Sequence, residues 1–285
     1  MSVSVPEFAR MRAVGGRVRA LCEWIRSSVT LGETPRPFLL LAVVFVVSLS
    51  YPLVAFLGRA GGLSAEAFTD PALVSAAQYS LATAPAATLL ATAFGVPLAY
   101  VLARASFPGK LAVEALVALP LVVPPVVAGV MLLTGVGHGS VVGSLASAVG
   151  LPLTDSYLGI VLAQTFVAGP FLVVTARAGF AGVDERLEEA SRTLGRGRWG
   201  TFRRVSLPLA RGHVLAGIVL TFARAVGEFG ATMLTAYTPH TLPTQIWVAF
   251  LSRGVTATVP LVVLLLVIGG SVVVAVQASG RGLWQ

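Results

Sequence analysis

Residues Asp184 to Pro208 read DERLEEASRTLGRGRWGTFRRVSLP, a charged segment between two long apolar runs. Acid opens it at Asp184 and Glu185, and Arg196 and Arg198 come near its first break at Gly195 and Gly197. That order suits a short helix, whose dipole favours anions at the N-terminus and cations at the C-terminus. Leu187, Ala190, Ser191 and Leu194 recur at helical spacing and give one small, apolar face. Gly195 is the expected stop, and Pro208 is expected to end a second short helical turn before the chain becomes apolar again. A solvated amphipathic connector would share these features, so the flanking chain decides what the segment connects.

The flanks are membrane-like. The chain has 285 residues, 56% of them hydrophobic and only 11% charged, against about 25% charged in a soluble domain. A bilayer core of ~30 Å needs about 20 apolar residues as a helix. Six stretches qualify: Phe38–Leu57, Gln78–Ala103, Leu111–Thr134, Tyr157–Ala176, Gly212–Ala236 and Thr256–Ala278. Phe38–Leu57 exceeds the ~7–15 residues of a signal-peptide core, so it reads as a retained span even though Ala65-Glu66-Ala67 mimics a cleavage site. Gly135–Thr154, uncharged but rich in Gly and Ser, reads as an outer loop with a short helix at Val141–Val149. An additional crossing there would invert everything after it. The expected fold is therefore all-α, with six transmembrane helices over residues 38–280 behind a basic segment, residues 1–37.

Charge orients the spans. With the N-terminus inside, all but three of the 20 Lys and Arg residues fall on the inner side; Arg59 and Arg253 fall outside and Arg224 lies within a span. The positive-inside rule favours that arrangement. It places both termini and the Asp184–Pro208 loop in the cytoplasm. In residues 1–37, Met11, Val14, Val18, Leu21 and Ile25 recur opposite the arginines, as in a helix lying on an anionic inner leaflet; a basic tail is the other reading.

The formal charge of +8 does not indicate nucleic acid, because the arginines are divided among loops between apolar runs. Cys22, alone, excludes an internal disulfide framework and a cysteine metal cluster. His138, His213 and His240 are scattered without metal-binding spacing. The lone lysine, Lys110, lacks the surroundings of a phosphate-binding loop, so the chain is expected to hydrolyse no nucleotide itself. No nucleophile–base constellation supports a membrane-embedded enzyme.

Two intramembrane features are candidate elements of a path. In Leu119-Pro120-Leu121-Val122-Val123-Pro124-Pro125, three prolines within six residues cannot continue a regular helix. Such a break survives in lipid only where protein or water covers it, which suits a pore-lining bend or a packing kink. In Arg224-Ala225-Val226-Gly227-Glu228-Phe229-Gly230, the two charges are four apart and can pair on one helix face. Gly227 and Gly230 would admit another helix closely. A charge within a span is costly unless paired, so Glu228 is expected to face Arg224 or a neighbouring helix.

The Asp184–Pro208 segment resembles the cytoplasmic loop of binding-protein-dependent ABC importer permeases, whose pattern is E-A-A, three residues, G, nine residues, I-x-L-P. Here Glu189-Ala190-Ser191 is followed by three residues, Gly195, nine residues and Val205-Ser206-Leu207-Pro208, with Ser191 and Val205 as conservative departures. Over roughly residues 75–275 the chain further resembles molybdate, tungstate and sulfate permeases. The matching stretches are Phe222–Thr232, Pro120–Pro125 with Gly129, and Thr241–Ile246 in what is expected to be the following outer loop.

The resemblance implies a type I permease subunit that moves a tetrahedral oxyanion by ATP-driven alternating access, with molybdate or tungstate ahead of sulfate or thiosulfate. It implies two copies of this chain, two ATPase subunits carrying ATP and Mg, an external oxyanion-binding protein, and a location in the cell membrane. Coupling would fall to Glu188, Glu189, Ala190, Ser191, Leu194, Gly195, Leu207 and Pro208. The path or gate would fall to Pro120, Pro124, Pro125, Arg224, Gly227, Glu228 and Gly230. An ion-coupled secondary transporter is the contrasting reading; Glu114 and Glu228 are the only carboxylates within the spans it could use.

Overall fold

A computed structural model describes residues 35–60 and 62–278. The interfacial helix read into residues 1–37 falls almost wholly outside them. Helix α1, Arg36–Ala60, belongs to a unit ending at Gly58; the elements from Arg59 onward form a second compact unit. The described residues are helical and contain no strand.

The second unit is built around α6, Tyr157–Ala181, whose buried residues, Gln164 apart, are apolar or small on several faces. A helix with no polar face belongs inside a bundle. Ser156 caps its start by accepting the Gly159 amide at 3.0 Å. On one side lies α2, Pro71–Arg104, which starts seven residues earlier than the hydropathy suggests because Asp70 accepts the Ala72 amide at 2.8 Å and Pro71 suits the first turn. On another side lies α8, Arg198–Val226, a 29-residue helix.

These three helices approach through small residues, as expected where packing and not water expulsion holds helices together. A methyl group added at Gly95 would lie 3.2 Å from Val173, and one at Gly217 would lie 2.8 Å from Leu172. One at Gly179 would overlap the His213 Cβ. At one end of the bundle Tyr100, Phe180 and Phe202 cluster, with Tyr100 edge-on to both phenylalanines at 5.4 and 4.9 Å.

Two of the expected spans are broken. The third consists of α3, Lys110–Val122, and α4, Pro125–Val136. Pro120 sits inside α3, and the interruption is confined to Val123 and Pro124, because Pro125 is accommodated in the first turn of α4 where no amide is required. The short helix α5, Val141–Ala148, turns away from α4 by 64°, so Gly135–Thr154 contains a helix of about two turns at the expected place. With α7 given to Glu185–Thr193, the fifth expected span comprises α8 and then α9, Gly230–Thr235, separated at Gly227–Phe229.

Two expectations are corrected. Pro208 ends nothing: α8 starts at Arg198 and runs through it. The turn Phe202–Ser206 is π-helical, with the Leu207 amide donating to the Phe202 carbonyl, and the extra residue relieves the clash a proline ring makes with the carbonyl four residues back. Thr241–Ile246 is not a loop but opens α10, Leu242–Arg253. Thr241 and Thr244 cap each other there, the Thr244 hydroxyl accepting the Thr241 amide at 2.8 Å. The chain closes with α11, Val255–Ala278. Among the described residues five helices are long and apolar enough to cross a membrane singly, and a sixth crossing requires joining α4 and α5 across their 64° bend.

Candidate functional site

The loop of Asp184–Pro208 is a preformed knob. Asp184 caps α7 by accepting the Arg186 amide at 2.9 Å. Gly195 takes φ +83°, a conformation that a Cβ disfavours. Its amide donates to Arg192 at 3.0 Å while the Arg196 amide donates to Ser191 at 3.2 Å, so the last carbonyls of α7 are satisfied by a Schellman turn. The acidic start and the glycine stop are where the sequence placed them, but the basic residue of the last turn is Arg192, since Arg196 lies past Gly195 and Arg198 opens α8.

What the sequence did not disclose is how the knob is anchored. Glu188 is only 4% exposed and sits between three elements. The Arg104 guanidinium at the end of α2 donates through Nε to both carboxylate oxygens, at 3.1 and 3.2 Å, and through its terminal nitrogen to the Val183 carbonyl at 2.7 Å. The Ser206 hydroxyl, in the π turn, donates to Glu188 Oε1 at 2.7 Å. Ser191, also buried, meets the Thr201 hydroxyl at 3.2 Å. Glu188 and Ser191 therefore face the bundle, and a contact with another protein is left to their neighbours. Glu189, Ala190 and Gly195 are exposed, as are Leu187 and Leu194, the latter at 83%. Leu187, Ala190 and Leu194 form an outward apolar stripe flanked by Arg186, Glu189 and Arg192. Leu207 is half-buried and Pro208 exposed on α8. No motif points to Arg104 as the anchor, since it lies 84 residues from Glu188.

The two helix breaks meet. A methyl group at Gly230 would lie 2.9 Å from Pro125 Cβ and 3.0 Å from the Val126 amide nitrogen, and one at Gly129 would lie 3.1 Å from Ala231 Cα. The interruption at Val123–Pro124 and the one at Gly227–Phe229 thus shield one another, as unpaired backbone in a membrane requires. Glu228 is fully buried; its Oε1 accepts the Ala231 amide at 2.7 Å, capping α9, and its Oε2 pairs with Arg224. The carboxylate is held internally. Gly230 admits α4 closely, whereas an added methyl at Gly227 would meet nothing nearer than 3.5 Å. Gln164 on α6 and Thr232 on α9 carry buried side-chain oxygens without a hydrogen-bond partner. Pro120 and Pro125 are half-buried and Pro124 is exposed. Glu114, the second carboxylate within the spans, pairs with Arg177 at 2.8 Å. The described residues contain no grouping of His, Cys, Asp or Glu suited to a metal ion.

An all-helical membrane protein with paired broken spans and one helical knob is the class of protein these features define. Solved structures share that fold: a chain of a bacterial ABC transporter involved in the import of the acidic polysaccharide alginate superposes with a TM-score of 0.68 at 17% identity, covering 92% of this chain and 98% of that one. A chain of the methionine ABC transporter MetNI superposes at 0.60 with 19% identity, covering 77% and 98%. The fold is that of type I ABC importer permeases.

Residues 95–284 match the family described as binding-protein-dependent transport system inner membrane component, and the chain belongs to that family. It is a multi-pass membrane protein. It is 50% identical over 248 residues to a probable molybdenum ABC transporter permease protein of Haloferax volcanii, covering 87% of this chain and 91% of that protein. It is 40% identical over 231 residues to the molybdate/tungstate transport system permease protein WtpB of Thermococcus kodakarensis, covering 80% and 88%. With the molybdenum transport system permease protein ModB of Escherichia coli it shares 42% identity over 166 residues, covering 58% and 72%.

Proposed function

We propose that this chain is the permease subunit of an ABC importer for molybdate or tungstate. The observation that carries the cargo is the 50% identity, along nearly the whole length, to a permease named for molybdenum. Two copies would enclose the path, and an external binding protein would deliver the oxyanion. ATP and Mg would be handled by two partner ATPase subunits, in keeping with a sequence that lacks a phosphate-binding loop.

The knob is suited to receiving the ATPase. Its exposed stripe of Leu187, Ala190 and Leu194 offers apolar contact, and Glu189, Arg186 and Arg192 offer polar edges. Its buried side is tied by Glu188 to the end of α2 and the start of α8, so a displacement of the knob would be carried into both helices as a rigid-body movement. The internal capping of Glu228 removes its negative charge from the path of a dianion, which would otherwise be repelled. Gly230, Pro124 and Pro125 would allow the two breaks to slide as the path opens and closes.

Uptake of isotopic molybdate into vesicles, with the chain reconstituted beside its ATPase and binding protein, tests this reading. ATP-dependent uptake should be competed by tungstate and spared by sulfate. Uptake that persists without ATP but follows an ion gradient would overturn it, and preferential competition by sulfate would overturn the cargo.

A further inference from the structure

We propose that the groove between α2 and the start of α8 binds one anionic phospholipid, its acyl chain in the groove and its phosphate on Arg198. The groove encloses about 560 Å³ and is lined by Ala93, Val96, Pro97 and Tyr100 on α2 and by Trp199, Phe202 and Leu207 on α8, with Arg198 at its mouth. Its lining is almost wholly apolar, and a hollow of this kind within a membrane is filled by hydrocarbon. On α2 it runs from Thr92 to Val101, a rise of ~14 Å at 1.5 Å per residue. That is about half of the ~30 Å hydrocarbon core, or one leaflet.

The mouth carries the headgroup chemistry. Arg196, Arg198, Arg203 and Arg204 are exposed and have no carboxylate partner among the described residues. Of the knob's acids, Glu188 and Glu185 face Arg104, and Asp184 caps α7. Trp199 is 72% exposed and stacks on Phe202 at 5.4 Å, and tryptophan is a residue type enriched where membrane meets water. A guanidinium grips a phosphate through paired donors, and its unpaired positive charge favours a headgroup of net negative charge over one whose choline already offsets the phosphate, where the groove alone would take any chain. The leaflet, the inner one, rests on the orientation proposed above; the pairing of chain and phosphate does not. Because the groove lies against the knob's exit into α8, its occupant would brace the segment that the ATPase moves.

Trp199 supplies the probe. In the full chain with Trp24, Trp247 and Trp284 replaced by phenylalanine, reconstituted in mixed vesicles, quenching is compared between brominated phosphatidylglycerol in plain phosphatidylcholine and the reverse labelling at equal mole fraction. Quenching by the anionic lipid should exceed its mole fraction by about fivefold, the preference one interfacial arginine confers. Arg198→Gln should bring it down to the mole fraction. Ala93→Phe, which fills the groove and leaves the arginine, should lower quenching by both lipids. Equal quenching by the two headgroups, or a preference unchanged in Arg198→Gln, would overturn the assignment. So would absence of quenching by either lipid, which would mean that protein from a second copy fills the groove. Molybdate uptake by the same vesicles is read separately, so a failed lipid preference with intact uptake leaves the transport reading standing.

Discussion

Glu188→Gln separates anchoring of the knob from contact with a partner. Glu188 receives Arg104 Nε and the Ser206 hydroxyl in a site where the paired side chains are 13% and 5% exposed. Removing one member of a buried ion pair costs about 3–5 kcal/mol, mostly because the remaining charge is left uncompensated. Two features reduce that here. The amide oxygen of glutamine still accepts from Ser206, and Glu185, 3.6 Å from Arg104, offers a substitute carboxylate. The expected loss is therefore about 2–3 kcal/mol of local stability. The effect should be confined to α7 and its flanks, since the α2–α6–α8 packing does not pass through Glu188. Amide hydrogen exchange, which reports local opening, should accelerate about 30- to 150-fold over residues 187–196 and little in α6. Glu189→Gln, at an exposed neighbour, should alter exchange by less than about threefold. If the two variants behaved alike, or if α7 kept its protection in Glu188→Gln, the anchoring argument would be refuted.

Other substitutions probe the packing. Gly179→Ala places a methyl on the His213 Cβ and should lower thermal stability by about 1–3 kcal/mol, restored in part by adding His213→Gly; denaturation in detergent measures both. Gly195→Ala forces a side chain into φ +83° and should cost about 1–2 kcal/mol, read as faster exchange at the end of α7. Gly230→Ala should push α4 away from α9 and reduce uptake, whereas Gly227→Ala, with no neighbour nearer than 3.5 Å, should transport near normally; equal uptake by the two would contradict the close approach.

Much of this architecture could be read from local pattern. Apolar runs of the required length located the spans, Asp184 and Gly195 marked the two ends of α7, and the proline cluster located the break between α3 and α4. Features set by tertiary context were missed. Thr241–Ile246 reads as outer loop because it lies between two expected spans, yet its capping threonines and buried residues open a helix. Pro208 looked like a terminator because a π turn leaves no periodic signal. Glu188 enters the coupling set through the resemblance alone, which does not say which way its side chain points. Its partner Arg104 ends a helix far away in the chain, and only the folded bundle brings the two together.

The central claim is that the knob lies on the cytoplasmic side and receives the ATPase. Leu194, 83% exposed at its tip, is the position to mark. With Cys22 replaced by serine, Leu194→Cys is treated with a membrane-impermeant maleimide in right-side-out and inside-out vesicles, with and without the ATPase subunits. Labelling should occur only in inside-out vesicles and should be blocked when the ATPase is bound. Labelling from the outer surface, or labelling indifferent to the ATPase, would contradict the account.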